Sequence, residues 1–215
     1  MIPDWAVERE QMVEKQLRRR DIRDERVLHA MREIPREQFV PPELRIFAYR
    51  DEPVHIGYGQ TISQPYMTAL MAQELALRGD ETVLEVGSGC GYAAAVLGAL
   101  AARVITIEIV PGLVELARAN LRRTLRDANV VVVQGDGSMG YADAAPYDAI
   151  SVAAGAPETP QSLLDQLADP GRLTIPVGDR ENQELRVVWK EHGRIGYRVS
   201  THCRFVPLRG GEGWN

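Results

Sequence analysis

Apolar positions recur at helical spacing at the start of the chain. Val7, Met12, Val13 and Leu17 predict a helix over 5–20, and Asp24 stands where it caps a second helix carrying Val27, Leu28 and Met31. Pro35 ends that helix. From Arg36 to Gln64 the period is lost, with prolines at 41, 42 and 53 and glycines at 57 and 59. A loop this long inside a compact domain is more often functional than decorative. Ser63 then stands at an N-cap position, followed by Pro65 in the first turn and by Met67, Leu70, Met71 and Leu75 up to Gly79, the spacing of a third helix.

The middle of the chain alternates strand and helix signals. ETVLEV (81–86), RVITIE (103–108), NVVVVQ (129–134), YDAISV (147–152) and RLTIPV (172–177) read as strands. Between them lie the helical YAAAVLGALAA (92–102), PGLVELARANLRRTL (111–125) and the stretch from Thr159 to Leu167. Short Val/Ile-rich strands joined by amphipathic helices require a mostly parallel sheet with right-handed crossovers and helices on both faces. This is a Rossmann-like α/β core behind an N-terminal helical segment. ELRVVWKE (184–191) and RIGYRVSTHCRF (194–205) predict a closing hairpin that turns near His192 and Gly193.

Composition narrows the classes. With 215 residues, 45% hydrophobic and 26% charged, the chain suits one globular α/β domain over 1–215 and excludes disorder as the main state. That domain divides into N-terminal helices with an active-site loop (1–64), a cofactor-binding core (65–178) and a C-terminal hairpin and tail (179–215). A net charge of −5 offers no overall basic field for nucleic acid. Cys90 and Cys203 lack a disulfide framework spacing, and the opening MIPDWAVEREQ has no apolar leader. The longest mainly apolar stretch, Ala93 to Ala102, falls well short of a membrane span. A reducing cytoplasm is therefore expected, with neither membrane nor nucleic-acid partner. His29, His55, His192 and His202 show no ligand spacing, so no metal is expected.

The chemistry concentrates in VLEVGSGCG (83–91). Gly87, Gly89 and Gly91 follow a buried-looking strand, where glycine lets backbone approach a cofactor more closely than any Cβ allows. A dinucleotide fingerprint would need glycine at the position of Tyr92 and has no use for Glu85 just upstream. An NAD-binding oxidoreductase is thereby disfavoured. An acidic residue before a GxGxG loop instead suits S-adenosylmethionine, whose amino and sulfonium groups are cationic. Glu108 closes the second strand about twenty residues past the loop, at the register of a carboxylate that accepts both ribose hydroxyls. Asp136, between Gly135 and Gly137, follows the third strand and is placed for an adenine edge. Taken singly, Glu108 also suits an exposed strand end and GDG an ordinary turn; three acidic strand ends along one βαβαβ unit are far more specific.

These residues resemble the protein-L-isoaspartate O-methyltransferase family over nearly the whole chain. The matching stretches are MREIPREQFVP (31–41), GYGQTISQPYMTALM (57–71), VLEVGSGCGYAAAVL (83–97), GDGSMGY (135–141), APYDAI (145–150), GRLTIPVG (171–178) and FVPL (205–208). The TISQP segment is the diagnostic one. The resemblance implies a seven-stranded S-adenosylmethionine-dependent methyltransferase fold with rearranged last strands, whose order the pattern leaves open. It implies a catalytic Ser63 bordered by Thr61 and Ile62 on the substrate side, and cofactor contacts from Gly87, Ser88, Glu108, Asp136 and Gly137, to which the loop reading adds Glu85 and Gly89. It further implies methylation of the free α-carboxylate of L-isoaspartyl residues in damaged proteins and peptides, the ester then closing to a succinimide unaided. The alternative is a same-fold methyltransferase with a dedicated peptide partner. Tyr66, Tyr92 and Arg209 carry no assigned role.

Overall fold

The computed structural model describes residues 3–125 and 129–214. Met1 and Ile2 of the opening segment lie outside them. Helix α1 (Trp5–Met12) is capped by Asp4 and runs into a wider π-helical turn, Val13–Arg18. Met12, Val13 and Leu17 are buried as expected, whereas Val7 is about half exposed. Helix α2 (Glu25–Glu33) is capped by the Asp24 carboxylate, which accepts from the Arg26 and Val27 amides.

The aperiodic 36–64 segment is more ordered than its pattern suggests. It holds 3₁₀ turns at Arg36–Gln38 and Pro42–Phe47, then a small antiparallel hairpin of β1 (Val54–Gly57) and β2 (Gln60–Ile62). Helix α3 (Pro65–Glu74) follows with Pro65 at its first position.

Seven strands form the central sheet: β3 (Thr82–Val86), β4 (Arg103–Glu108), β5 (Val130–Gln134), β6 (Tyr147–Val152), β7 (Leu167–Gly178), β8 (Gln183–Glu191) and β9 (Arg194–Cys203). Their spatial order is β5-β4-β3-β6-β7-β8-β9. The first five are parallel; β8 and β9 add as successive antiparallel neighbours, which settles the order of the last strands. His192 and Gly193 make the β8–β9 turn with φ of +51° and +71°.

Alternate residues of the central strands enter opposite cores, as period-two geometry requires. Val83 and Val104 pack among α1 to α3, α4 (Tyr92–Gly98) and α5 (Pro111–Thr124). Leu84, Val86, Ile105 and Ile107 pack on the other face with Leu163 of α6 (Gln161–Gln166) and with Leu208. Among the described residues, no helix is long and apolar enough to cross a membrane.

Candidate active site

The chain leaves β3 toward β4 on one side, and β6 pairs on the other, so the carboxyl ends of these strands open a crevice at the switch in strand order. The loop above β3 depends on glycine. Gly87, Gly89 and Gly91 have φ of +93°, +51° and +89°, a backbone region L side chains rarely adopt, and Gly91 in that conformation starts α4. The cleft holds about 810 Å³ of empty space, its open mouth included. It is walled by 60–63, Thr68, 86–90, 92–93, 107–110, Gly137, 153–154 and 206–209.

Glu108 is held by the loop it faces. One carboxylate oxygen accepts the Gly89 amide at 2.9 Å and the other accepts the Val110 amide at 3.0 Å. A carboxylate offers about four lone-pair sites, so each oxygen keeps one for a second donor. Glu108 is 7% exposed and lines the cleft.

Glu85 occupies a different place from the one its sequence position suggested. It does not line the cleft; its side chain turns into the core and accepts from the Thr106 hydroxyl, which meets the Ser88 hydroxyl at 2.6 Å. Burial pushes its carboxyl up to about 8, with the Thr106 bond opposing and the nearby Glu108 charge adding to the rise. A direct ionic contact with a bound cation is therefore replaced by a hydroxyl relay that ends at Ser88 in the cleft wall. The reason is register: Glu85 shares the inward face of β3 with Val83.

Asp136 is also diverted. Its Oδ1 accepts from the Ser138 amide and hydroxyl at 2.9 and 2.7 Å, and its Oδ2 from the Gly211 amide at 2.8 Å. Burial pushes its carboxyl up, but the Gly211 and Ser138 donors outweigh it and hold the pKa below the usual carboxylate range. Asp136 thus caps a 3₁₀ turn and anchors the C-terminal tail, while its neighbour Gly137 forms the wall. A Cβ on Gly137 would meet Val86 Cγ1 at 2.6 Å, so only glycine fits between the strand ends.

Ser63 lines the cleft together with Thr61 and Ile62. It is not the helix cap: α3 begins one residue later, with Gln64 at the cap position and no side-chain cap bond. Pro65 fixes the first helical position, which makes its predecessor the cap. The serine hydroxyl has no hydrogen-bond partner among the described residues, whereas its carbonyl accepts from Arg36 Nη2 at 2.7 Å. Tyr66 lies away from the cleft, its hydroxyl donating to Asp21 at 2.7 Å, whereas Tyr92 both packs edge-on against Phe39 and contributes to the cleft lining.

The sequence reading missed the wall formed by 206–209. This segment returns beside β6, where the Leu208 amide donates to the Gly155 carbonyl and the Gly155 amide to the Val206 carbonyl, each at 2.8 Å. The apolar FVPL after a polar hairpin was the available signal, and Arg209 now takes a place at the cleft.

Strand order, glycine loop and loop-bonded acidic strand end together define an S-adenosylmethionine-dependent methyltransferase fold. Residues 7–213 match the family model described as Protein-L-isoaspartate(D-aspartate) O-methyltransferase (PCMT), and the chain belongs to that family. It is 52% identical over 207 residues to the protein-L-isoaspartate O-methyltransferase of Methanoculleus marisnigri, covering 96% of this chain and 94% of that one. The Koribacter versatilis enzyme of the same name is 51% identical, with 98% and 95% covered. Among solved structures, a Plasmodium falciparum protein-L-isoaspartate O-methyltransferase in complex with S-adenosyl-L-homocysteine superposes with a TM-score of 0.82 at 29% identity, covering 94% of this chain and 98% of that one.

Proposed function

We propose that this chain transfers a methyl group from S-adenosylmethionine to the free α-carboxylate of L-isoaspartyl residues in damaged proteins and peptides, with Ser63 meeting that carboxylate. The observation that carries this reading is one cleft holding both a pre-oriented Glu108 and an unpartnered Ser63 hydroxyl. Family membership and the named activity of its relatives support the substrate class.

When bound, S-adenosylmethionine supplies an electrophilic methyl group on a sulfonium centre. Glu108 accepts the ribose hydroxyls on its two remaining lone pairs, and Gly87, Ser88, Gly89 and Gly137 let the backbone close around the rest. Thr61, Ile62 and Ser63 border the acceptor. An α-carboxylate titrates near pH 3.5 and is ionised at pH 7, so the site needs no general base. The remaining task is alignment at near-attack distance in a site that excludes water. A cation touching the carboxylate would stabilise the ground state more than a transition state in which charge is being cancelled. A neutral hydroxyl avoids that cost. Cys90 is buried and unpaired and Cys203 unpaired, which suits a reducing cytoplasm.

Ser63→Ala tests the assignment. Loss of an orienting hydroxyl should lower kcat/KM for an isoaspartyl peptide roughly ten- to a thousandfold, about 1.4 to 4 kcal/mol. Because Ser63 caps nothing, melting temperature and adenosylhomocysteine affinity should stay near wild type. Unchanged kcat/KM removes Ser63 from the reaction.

A further inference from the structure

Arg36 is the largest fully buried side chain and belongs to none of the machinery described above. Its Nε donates to the Ala48 carbonyl at 2.7 Å and its Nη2 to the Ser63 carbonyl at 2.7 Å. The guanidinium carbon sits 4.9 Å from the Tyr92 ring centroid, at the start of α4. Nη1 has no hydrogen-bond partner, and among the described residues no carboxylate pairs with Arg36. The adjacent Glu37 is engaged by the Tyr49 hydroxyl instead.

A buried cation that meets carbonyl dipoles and the Tyr92 side chain but no carboxylate is expensive to maintain, and an apolar residue of similar volume would serve packing as well or better. Burial pushes the guanidinium pKa down from its ordinary value, but an arginine starts so far above neutrality that it keeps its proton and its charge. Its field is weakly screened on the side of the cleft, because the intervening matter is protein. One hydrogen bond away stands Ser63, a residue of the cleft wall whose hydroxyl has no partner among the described residues.

We infer that Arg36 is a positioning residue for the acceptor: its charge, set one layer behind Ser63, draws the substrate carboxylate to the serine without touching it. The inference rests on the reading of Ser63 as the carboxylate contact. The separation reconciles two demands. Attraction of an anion favours binding, while direct cation contact would hold back a reaction that discharges the anion. An uncompensated cation behind a hydroxyl gives the first with little of the second.

The test compares Arg36→Met, Arg36→Gln and Arg36→Lys with wild type in the full-length protein. Removing the charge should raise KM for an isoaspartyl peptide roughly tenfold, with kcat held within about threefold. Adenosylhomocysteine affinity should be unchanged, and Arg36→Lys should restore most of the KM. A peptide whose isoaspartyl α-carboxyl is amidated, used as an inhibitor, should bind wild type and Arg36→Met equally. Wild-type KM in a folded neutral variant overturns the inference. A lysine variant as impaired as the neutral ones does the same, since the loss would then not follow charge. The Gln variant serves if Met does not fold. Ser63→Ala measured alongside separates the two readings: a silent Arg36→Met beside an impaired Ser63→Ala defeats the role of Arg36 only, and the converse defeats the role of Ser63.

Discussion

Replacing Glu85 by Gln should make this protein more stable at neutral pH, although Glu85 opens the glycine motif. Its side chain is sealed at 1% exposure, with one carboxyl oxygen bonded by Thr106 and the other, Oε1, without a partner. Burial pushes the carboxyl up to about 8 from its ordinary 4.5. Between those values the folded chain retains a proton that the unfolded chain has released. The resulting stabilisation is complete below the unfolded pKa and is lost as pH rises through the folded one, at about 1.4 kcal/mol per pH unit. Gln is neutral throughout, keeps the shape and presents an amide to Thr106, so it carries no such slope. The stability of Glu85→Gln relative to wild type should therefore grow by about 3 kcal/mol between about pH 5 and 7.5 and level off above 8. Urea unfolding at a series of pH values measures it. A difference that stays flat, or that shrinks as pH rises, would mean the carboxyl is ionised and stabilised in the fold, and would refute the reasoning.

Glu108→Ala removes charge-assisted bonds, and calorimetry should find adenosylhomocysteine affinity reduced roughly ten- to a hundredfold, about 1.5 to 3 kcal/mol; unchanged affinity would contradict the ribose assignment. Gly137→Ala places a Cβ 2.6 Å from Val86 Cγ1 and 2.9 Å from Ile107 Cγ2, and overpacking of this kind should cost about 1–3 kcal/mol in a denaturation experiment. Asp136→Ala unties the Gly211 amide, so limited proteolysis should cut near 209–212 faster than in wild type. In wild type the same anchor, held by a carboxyl with a lowered pKa, should persist at neutral pH and weaken only as pH falls below 3.8.

The parallel core was legible because its central strands are buried on both faces and read as short Val/Ile-rich runs such as RVITIE. The β1–β2 hairpin was not, since strands of four and three residues around Tyr58 and Gly59 are too short for their alternation to stand out from the irregular chain on either side. The site was legible in proportion to how local its geometry is. The position of Glu108 at the cleft follows from strand register and loop length alone. Asp136 could not be placed, because the tail that takes its Oδ2 lies 75 residues further on. Glu85 turned on which face of β3 it occupies, and the strand pattern of Val83, Leu84 and Val86 is apolar on both faces. The one-residue shift from Ser63 to Gln64 was within reach, since proline at the first helical position names its predecessor as the cap.

The most direct measurement is transfer of labelled methyl from S-adenosylmethionine to an isoaspartyl peptide and, in parallel, to its aspartyl twin, with purified full-length protein. A cleft that positions one backbone-derived carboxylate must reject the side-chain carboxylates found on every protein. The account predicts label on the isoaspartyl peptide and background on its twin. Comparable labelling of both, or of neither, would contradict it.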